Sequence, residues 1–160
     1  MPGMGKMYDA ISPEHEAFIA EQPLFFVASA PLTQTGHVNL SPKGLDTLRI
    51  IDPNTVMYLD LTGSGNETAA HVTENGRLTL MFCAFTGHPK ILRLYCRGRS
   101  VGRASREWDE LLARFPAYPG VRQIIVGRVE SVQSSCGFAV PLMTLDRQRD
   151  IARLRDRIQS

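Results

Sequence analysis

Apolar residues fall into short runs separated by turn-forming clusters, and most of the runs have the length and composition of strands. Ser12-Pro13-Glu14 predicts a helix start: serine caps, proline suits the first turn, and the acid meets the positive end of the dipole. Phe18 and Ile19 supply that helix's buried stripe, and Pro23 stops it. Leu24–Ala30 is dense in strand formers. Beyond the turn residues Thr33-Gln34-Thr35-Gly36, polar and apolar positions alternate over His37–Leu40, so the two runs predict a β-hairpin. Thr47–Ile51 and Thr55–Leu61 are strands around the turn Asp52-Pro53-Asn54, with Val56, Tyr58 and Asp60 on one face of the second.

Gly63–Thr68 leads into a short helix at Ala69–Val72 that Asn75-Gly76 ends. Leu78–Phe85 and Ile91–Ala104 read as strands on either side of Thr86–Pro89. Ser105-Arg106-Glu107-Trp108 starts a helix to about Phe115, broken by Pro116 and Pro119. Val121–Val132 is a long β-branched run, and Ser134–Pro141 is a loop of small residues. Leu145–Ile158 is a charged helix with Ile151, Leu154 and Ile158 as its apolar stripe. About six strands with three or four short helices make a mainly β, α+β fold: an antiparallel β-barrel with short covering helices. No repeat or linker divides it, so residues 1–160 read as a single domain that ends in a helix at about 145–159.

Composition narrows the function classes. Eighteen basic and sixteen acidic residues leave a net charge of +2, without the concentrated basic excess of a nucleic-acid binder. No apolar run approaches the roughly 20 residues of a membrane span. The opening MPGMGKMYDA has no apolar signal core, and three widely spaced cysteines form neither a disulfide framework nor a metal motif. A cytoplasmic setting without nucleic-acid or membrane partners is the expectation.

Three stretches carry candidate chemistry. Asn39-Leu40-Ser41-Pro42-Lys43-Gly44 ends a strand with a hydroxyl, an ammonium and a glycine close together; it suits a phosphate or an electron-rich ring edge, and equally an ordinary turn. Gly63–Thr68 stands where a strand hands over to a helix, whose free N–H groups attract anions, with Asn66 and Thr68 as added donors. It is neither a Walker loop nor a complete GxGxxG, and Ser64 with Glu67 can form a plain capping box there. Ser135-Cys136-Gly137 lacks a neighbouring base, which favours tight packing over nucleophilic catalysis. His15, His37, His71 and His88 have no ligand spacing, so no metal is expected.

Taken in order, the Lys-bearing turn, Val56-Met57-Tyr58-Leu59-Asp60, the polar helix start and Glu74-Asn75-Gly76-Arg77-Leu78-Thr79-Leu80-Met81-Phe82 resemble the pyridoxamine 5′-phosphate oxidase-like family of FMN-binding split β-barrels. The resemblance covers residues 10 to 135. It implies a homodimer with one FMN in each cleft at the subunit interface and a small-molecule substrate. It implies, too, that Val38, Asn39, Leu40 and Ser41 run along the flavin ring and that Lys43 meets the ring. By the same resemblance Leu59 and Asp60 stand beside the ring, Asn66, Glu67 and Thr68 hold the phosphate, and Lys90 occupies a basic position before the following strand. Where the oxidase itself carries an Arg, this chain has Val38, and where it carries an Arg-Lys pair, Glu67-Thr68. Its C-terminal Arg-containing substrate motif is missing. The implied function is therefore an FMN-binding oxidoreductase with an open substrate. The alternative is a non-catalytic split barrel holding a haem, a deazaflavin or a protein partner.

Overall fold

The structure, a computed structural model, describes residues 5–152. Its strands are β1 (Lys6–Tyr8), β2 (Leu24–Ser29), β3 (Asn39–Gly44), β4 (Leu48–Asp52), β5 (Thr55–Leu61), β6 (Arg77–Cys83), β7 (Ile91–Val101) and β8 (Val121–Ser135). Three short helices join them: α1 (Pro13–Ala20), α2 (Glu67–Glu74) and α3 (Trp108–Leu112). One antiparallel sheet runs in the order β3-β2-β6-β7-β8-β5-β4, with β1 added to the end of β8.

The sheet curls because both its ends feed one core. Phe25 of β2 lies edge-on to Tyr58 of β5 at 5.7 Å between ring centroids, although three strands separate β2 from β5 in the sheet. Leu80, Phe82, Leu92, Leu94, Ile125 and Val132 fill the space between, and Leu48 and Ile50 of β4 pack on the same cluster. The two edge strands do not pair, so the barrel is split. Ile19 of α1 closes that seam over a cavity of about 300 Å³ floored by Phe25, Leu48, Ile50 and Phe82.

A second core lies on the outer face of β5 and β8, where Met57, Leu59, Ile124 and Val126 meet Trp108 and Phe115. Cores on both faces explain why Val56–Asp60 is buried without alternation. The predicted face of Val56, Tyr58 and Asp60 nevertheless holds, since Val56 and Tyr58 belong to the first core and Met57 and Leu59 to the second.

Several expectations need correction. Eight strands replace about six: β1 is three residues long, below the length at which a periodic pattern can be read. The helix predicted from Ser105 is helical only over Trp108–Leu112, because Gly102–Ser105 and Ser105–Trp108 form tight three-residue turns instead of helical bonds. Residues 145–150 have no regular structure; between Leu145 and Ile151 there is no apolar side chain with which a helix could pack. Leu154, Ile158 and the rest of that predicted helix lie outside the described residues. The Ser64–Glu67 capping box does not form: the N-cap of α2 is Asn66, and no side chain caps the helix. At the other end, Gly76 takes φ +72°, the left-handed turn that Asn75-Gly76 predicted.

Candidate functional site: a polar notch where four elements meet

Edge strand β3 turns alternate side chains to opposite sides. Asn39, Ser41 and Lys43 face inward and are half-buried, whereas Leu40 and Pro42 face solvent. Across from them, Asp60 near the end of β5 is 3% exposed and accepts four hydrogen bonds. Lys43 Nζ donates to its Oδ1 at 3.2 Å; Arg122 Nε and Nη2 donate to Oδ2 at 3.1 and 2.9 Å; and Gln123 Nε2 donates to Oδ2 at 2.7 Å. This carboxylate is thus buried beneath two cations whose side chains are 23% and 27% exposed. Burying it is tolerable because every bond it accepts is charged or amide-donated.

The start of α2 closes the notch. Asn66 turns its Oδ1 to Gln123 Nε2 at 2.7 Å, so it does not cap the helix, and the first-turn N–H groups of α2 have no side-chain acceptor. Thr68 is buried, and its Oγ1 accepts from Asn39 Nδ2 at 2.9 Å. Together Asn39, Ser41, Lys43, Asp60, Gly65, Asn66, Glu67, Thr68 and Arg122 enclose about 30 Å³, room for one small polar group. Lys43 also borders a wider groove of about 720 Å³ between Pro23, Leu24 and Leu45 on one side and the irregular segment from Leu145 to Ile151, with Arg147, Arg149 and Asp150, on the other.

Under the notch lies Tyr58, 1% exposed, whose hydroxyl has no hydrogen-bond partner among the described residues. Burial, and next the Asp60 carboxylate, push its pKa far above the usual phenol value, so it stays protonated. Thr68 is close, but its oxygen is engaged by Asn39 and the geometry gives no bond to Tyr58.

Seven of the residues singled out in the sequence therefore come together: Asn39, Ser41, Lys43, Asp60, Asn66, Glu67 and Thr68. Four do not. Val38 is 72% exposed and Leu40 66% exposed, both outside the notch. The side chain of Leu59 is buried in the second core, because strand alternation sends it to the face opposite Asp60. Lys90 stands at the far end of the sheet: Ile91 pairs with Ser135, whereas Val101 pairs with Ile124 next to Gln123. There its ammonium pairs with Glu14 at 3.3 Å and lies over the Phe18 ring.

Arg122 and Gln123 escaped the sequence reading for a definite reason. Asp60 pairs with Gln123 and Leu61 with Val121, so Arg122 is the extra residue of a β-bulge. In a regular strand Arg122 and Gln123 would point to opposite faces; the bulge brings both to Asp60. Nothing in the local sequence marks that bulge.

The other candidates behave as packing. His71 bonds the Ser29 hydroxyl at 2.9 Å inside the fold. Gly137 lets the backbone of Lys90 approach so closely that a Cβ there would sit 2.9 Å from the Lys90 nitrogen. Cys83 and Cys96 are buried free thiols, the latter pushed up to about 12 by burial and by Glu130, which leaves them unreactive near neutrality. Among the described residues no three His, Cys, Asp or Glu side chains gather as metal ligands, and no helix is long and apolar enough to cross a membrane.

The family model for pyridoxamine 5′-phosphate oxidase matches residues 11–136. The chain belongs to that family. It is 41% identical over 149 residues to the pyridoxamine 5′-phosphate oxidase family protein ustO of Aspergillus flavus; the match covers 86% of this chain and 57% of that protein, so the chain spans little more than half of its relative. Among solved structures, a candidate pyridoxamine 5′-phosphate oxidase from Lactobacillus delbrueckii superposes with TM-score 0.61 at 15% identity, over 82% of this chain and 98% of that one. An FMN-binding protein from Syntrophomonas wolfei gives 0.52 at 14% identity, over 81% and 83%. HutZ, the haem storage protein of Vibrio cholerae, gives 0.50 at 16% identity, over 75% and 89%. These likenesses establish the split-barrel fold, and the fold is shared by flavin-binding and haem-storing proteins alike.

Proposed function

We propose that this chain is an FMN-binding flavoprotein, an oxidoreductase acting on a small molecule as a cytoplasmic homodimer with the cofactor at the subunit interface. The observation that carries the reading is the notch: three strands and a helix start, far apart in sequence, bring two cations and a row of donors to one place. The residues fit the phosphate end of FMN. Lys43 and Arg122 present positive charge, uncapped N–H groups of α2 point the same way, and the enclosed space suits a single polar group. Beside Lys43 the wider groove has the size that ring-bearing ligands use.

Bound flavin would supply the hydride and electron chemistry, and the protein would orient the ring and exclude water. Lys43 borders both the notch and the wider groove, so it marks where the two meet. Val38 just before the edge strand β3 and Leu40 on it, both apolar and exposed, support a second copy covering the free side of β3. Three unbridged cysteines accord with a reducing compartment.

The absorbance spectrum of the protein as purified tests the reading, with any released cofactor identified by mass. A flavin spectrum and the mass of FMN are the expected result. A haem Soret band in its place would move the chain to the storage or transfer role that its fold also carries elsewhere.

A further inference from the structure

The bulge on β8 has a consequence for which anion the notch can hold. We infer that Arg122, with Lys43, is the phosphate-binding pair of this chain, and that Asp60 is a positioning residue that holds the two cations in place without touching the ligand. This rests on the flavin reading above and adds to it the residues that recognise the phosphate.

The helix start brings no positive side chain of its own: its two leading residues are Glu67, an acid, and Thr68, whose neutral hydroxyl oxygen accepts from Asn39. The positive charge has to come from elsewhere in the fold, and the bulge brings it. Both Arg122 bonds to Asp60 use Nε and Nη2 on a single oxygen, so Nη1 has no partner among the described residues. Lys43 Nζ likewise donates once, to Oδ1, and keeps two protons free. Asp60 therefore uses one side of each cation and leaves the other side toward the notch that both residues line.

The local charges show how finely this is balanced. Lys43 and Arg122 give two positive charges, and buried Asp60 removes one. Exposed Glu67 removes the other, and among the described residues it has no cation partner. A phosphate monoester thus meets the two cations at short range and is opposed by Glu67 at the rim. Two consequences follow: loss of Arg122 weakens phosphate recognition, and neutralising Glu67 strengthens it. Tyr58, protonated and unpartnered beneath Asp60 and Thr68, shows that the polar groups of this site are not all satisfied within the chain.

The experiment compares FMN with riboflavin, which has the same ring and no phosphate, by fluorescence titration of the full chain and of three variants. The wild type is expected to prefer FMN. Arg122→Gln should cut that preference at least about tenfold, the size of a lost charged hydrogen bond, with riboflavin affinity little changed. Arg122→Lys should restore part of it. Glu67→Gln, a surface change that spares the fold, should raise the preference severalfold. If both flavins bind and neither Arg122→Gln nor Glu67→Gln moves their ratio, the assignment is overturned while the flavin reading stands. If the wild type binds neither flavin, both are overturned.

Discussion

Tyr58 is where a single side chain departs most from ordinary protein chemistry. A buried hydroxyl normally contributes about 1 kcal/mol through its hydrogen bond, and leaving it unpaired costs desolvation with no return. Tyr58 has no such bond, so Tyr58→Phe should leave the stability unchanged or raise it by up to about 1 kcal/mol, read from urea denaturation midpoints. A loss of more than 1 kcal/mol would mean that the hydroxyl is bonded after all. Asp60 is its opposite, a buried carboxylate with four donors, and its neighbours show how far single residues could be read in advance. Lys43 and Asp60 are legible through the order of motifs that carries the family resemblance, although Lys43 reads as part of a turn and lies on strand β3. Arg122 is not, because its direction is set by an irregularity of backbone pairing that leaves no mark on composition or spacing. The side chain of Leu59, next to Asp60 in sequence, lies on the opposite face of the strand, in the second core.

At the scale of elements, β2, β4, β5 and β6 fall within a residue or two of their predicted limits, whereas β3, β7 and β8 each differ by three or four residues at one end and β1 has no predicted counterpart. Helix ends were harder. Serine at position 12 caps α1 as expected, yet the reciprocal partner is His15, whose Nδ1 accepts from the Ser12 N–H at 3.2 Å. Only a neutral, suitably oriented imidazole can accept there. Burial and then Lys90 lower the pKa of His15 below its ordinary 6.5, against a smaller opposing effect of Glu14. Below pH 6.5 the unfolded chain binds this proton more readily than the folded one, so the His15 contribution is complete above that pH and is lost as pH falls through the lowered folded value. The melting temperature should decline between pH 7 and pH 5, and His15→Gln should flatten the part of that decline which His15 causes. An identical pH profile in the variant would remove His15 as its source.

For the whole molecule, the split barrel follows from two edge strands that do not pair with each other and a core fed from both ends of one curled sheet. The class of fold could be read from strand spacing; the second core behind β5 could not, because a strand buried on both faces loses the alternation that reveals it. Val38 just before β3, Leu40 on it, and Leu142 and Met143 beyond β8 are exposed apolar side chains that the proposed second copy would cover. The proposed cofactor shared between two copies would use both that surface and the notch. The most direct test is a titration of the full chain with FMN, followed by flavin fluorescence, melting temperature and sedimentation. The account predicts quenching that saturates at one flavin per chain, a dimer in the sedimentation profile, and a melting temperature that climbs with FMN, equivalent to roughly 2.7 kcal/mol when the ligand is at about a hundred times its dissociation constant. Unquenched flavin with an unmoved melting temperature would contradict it.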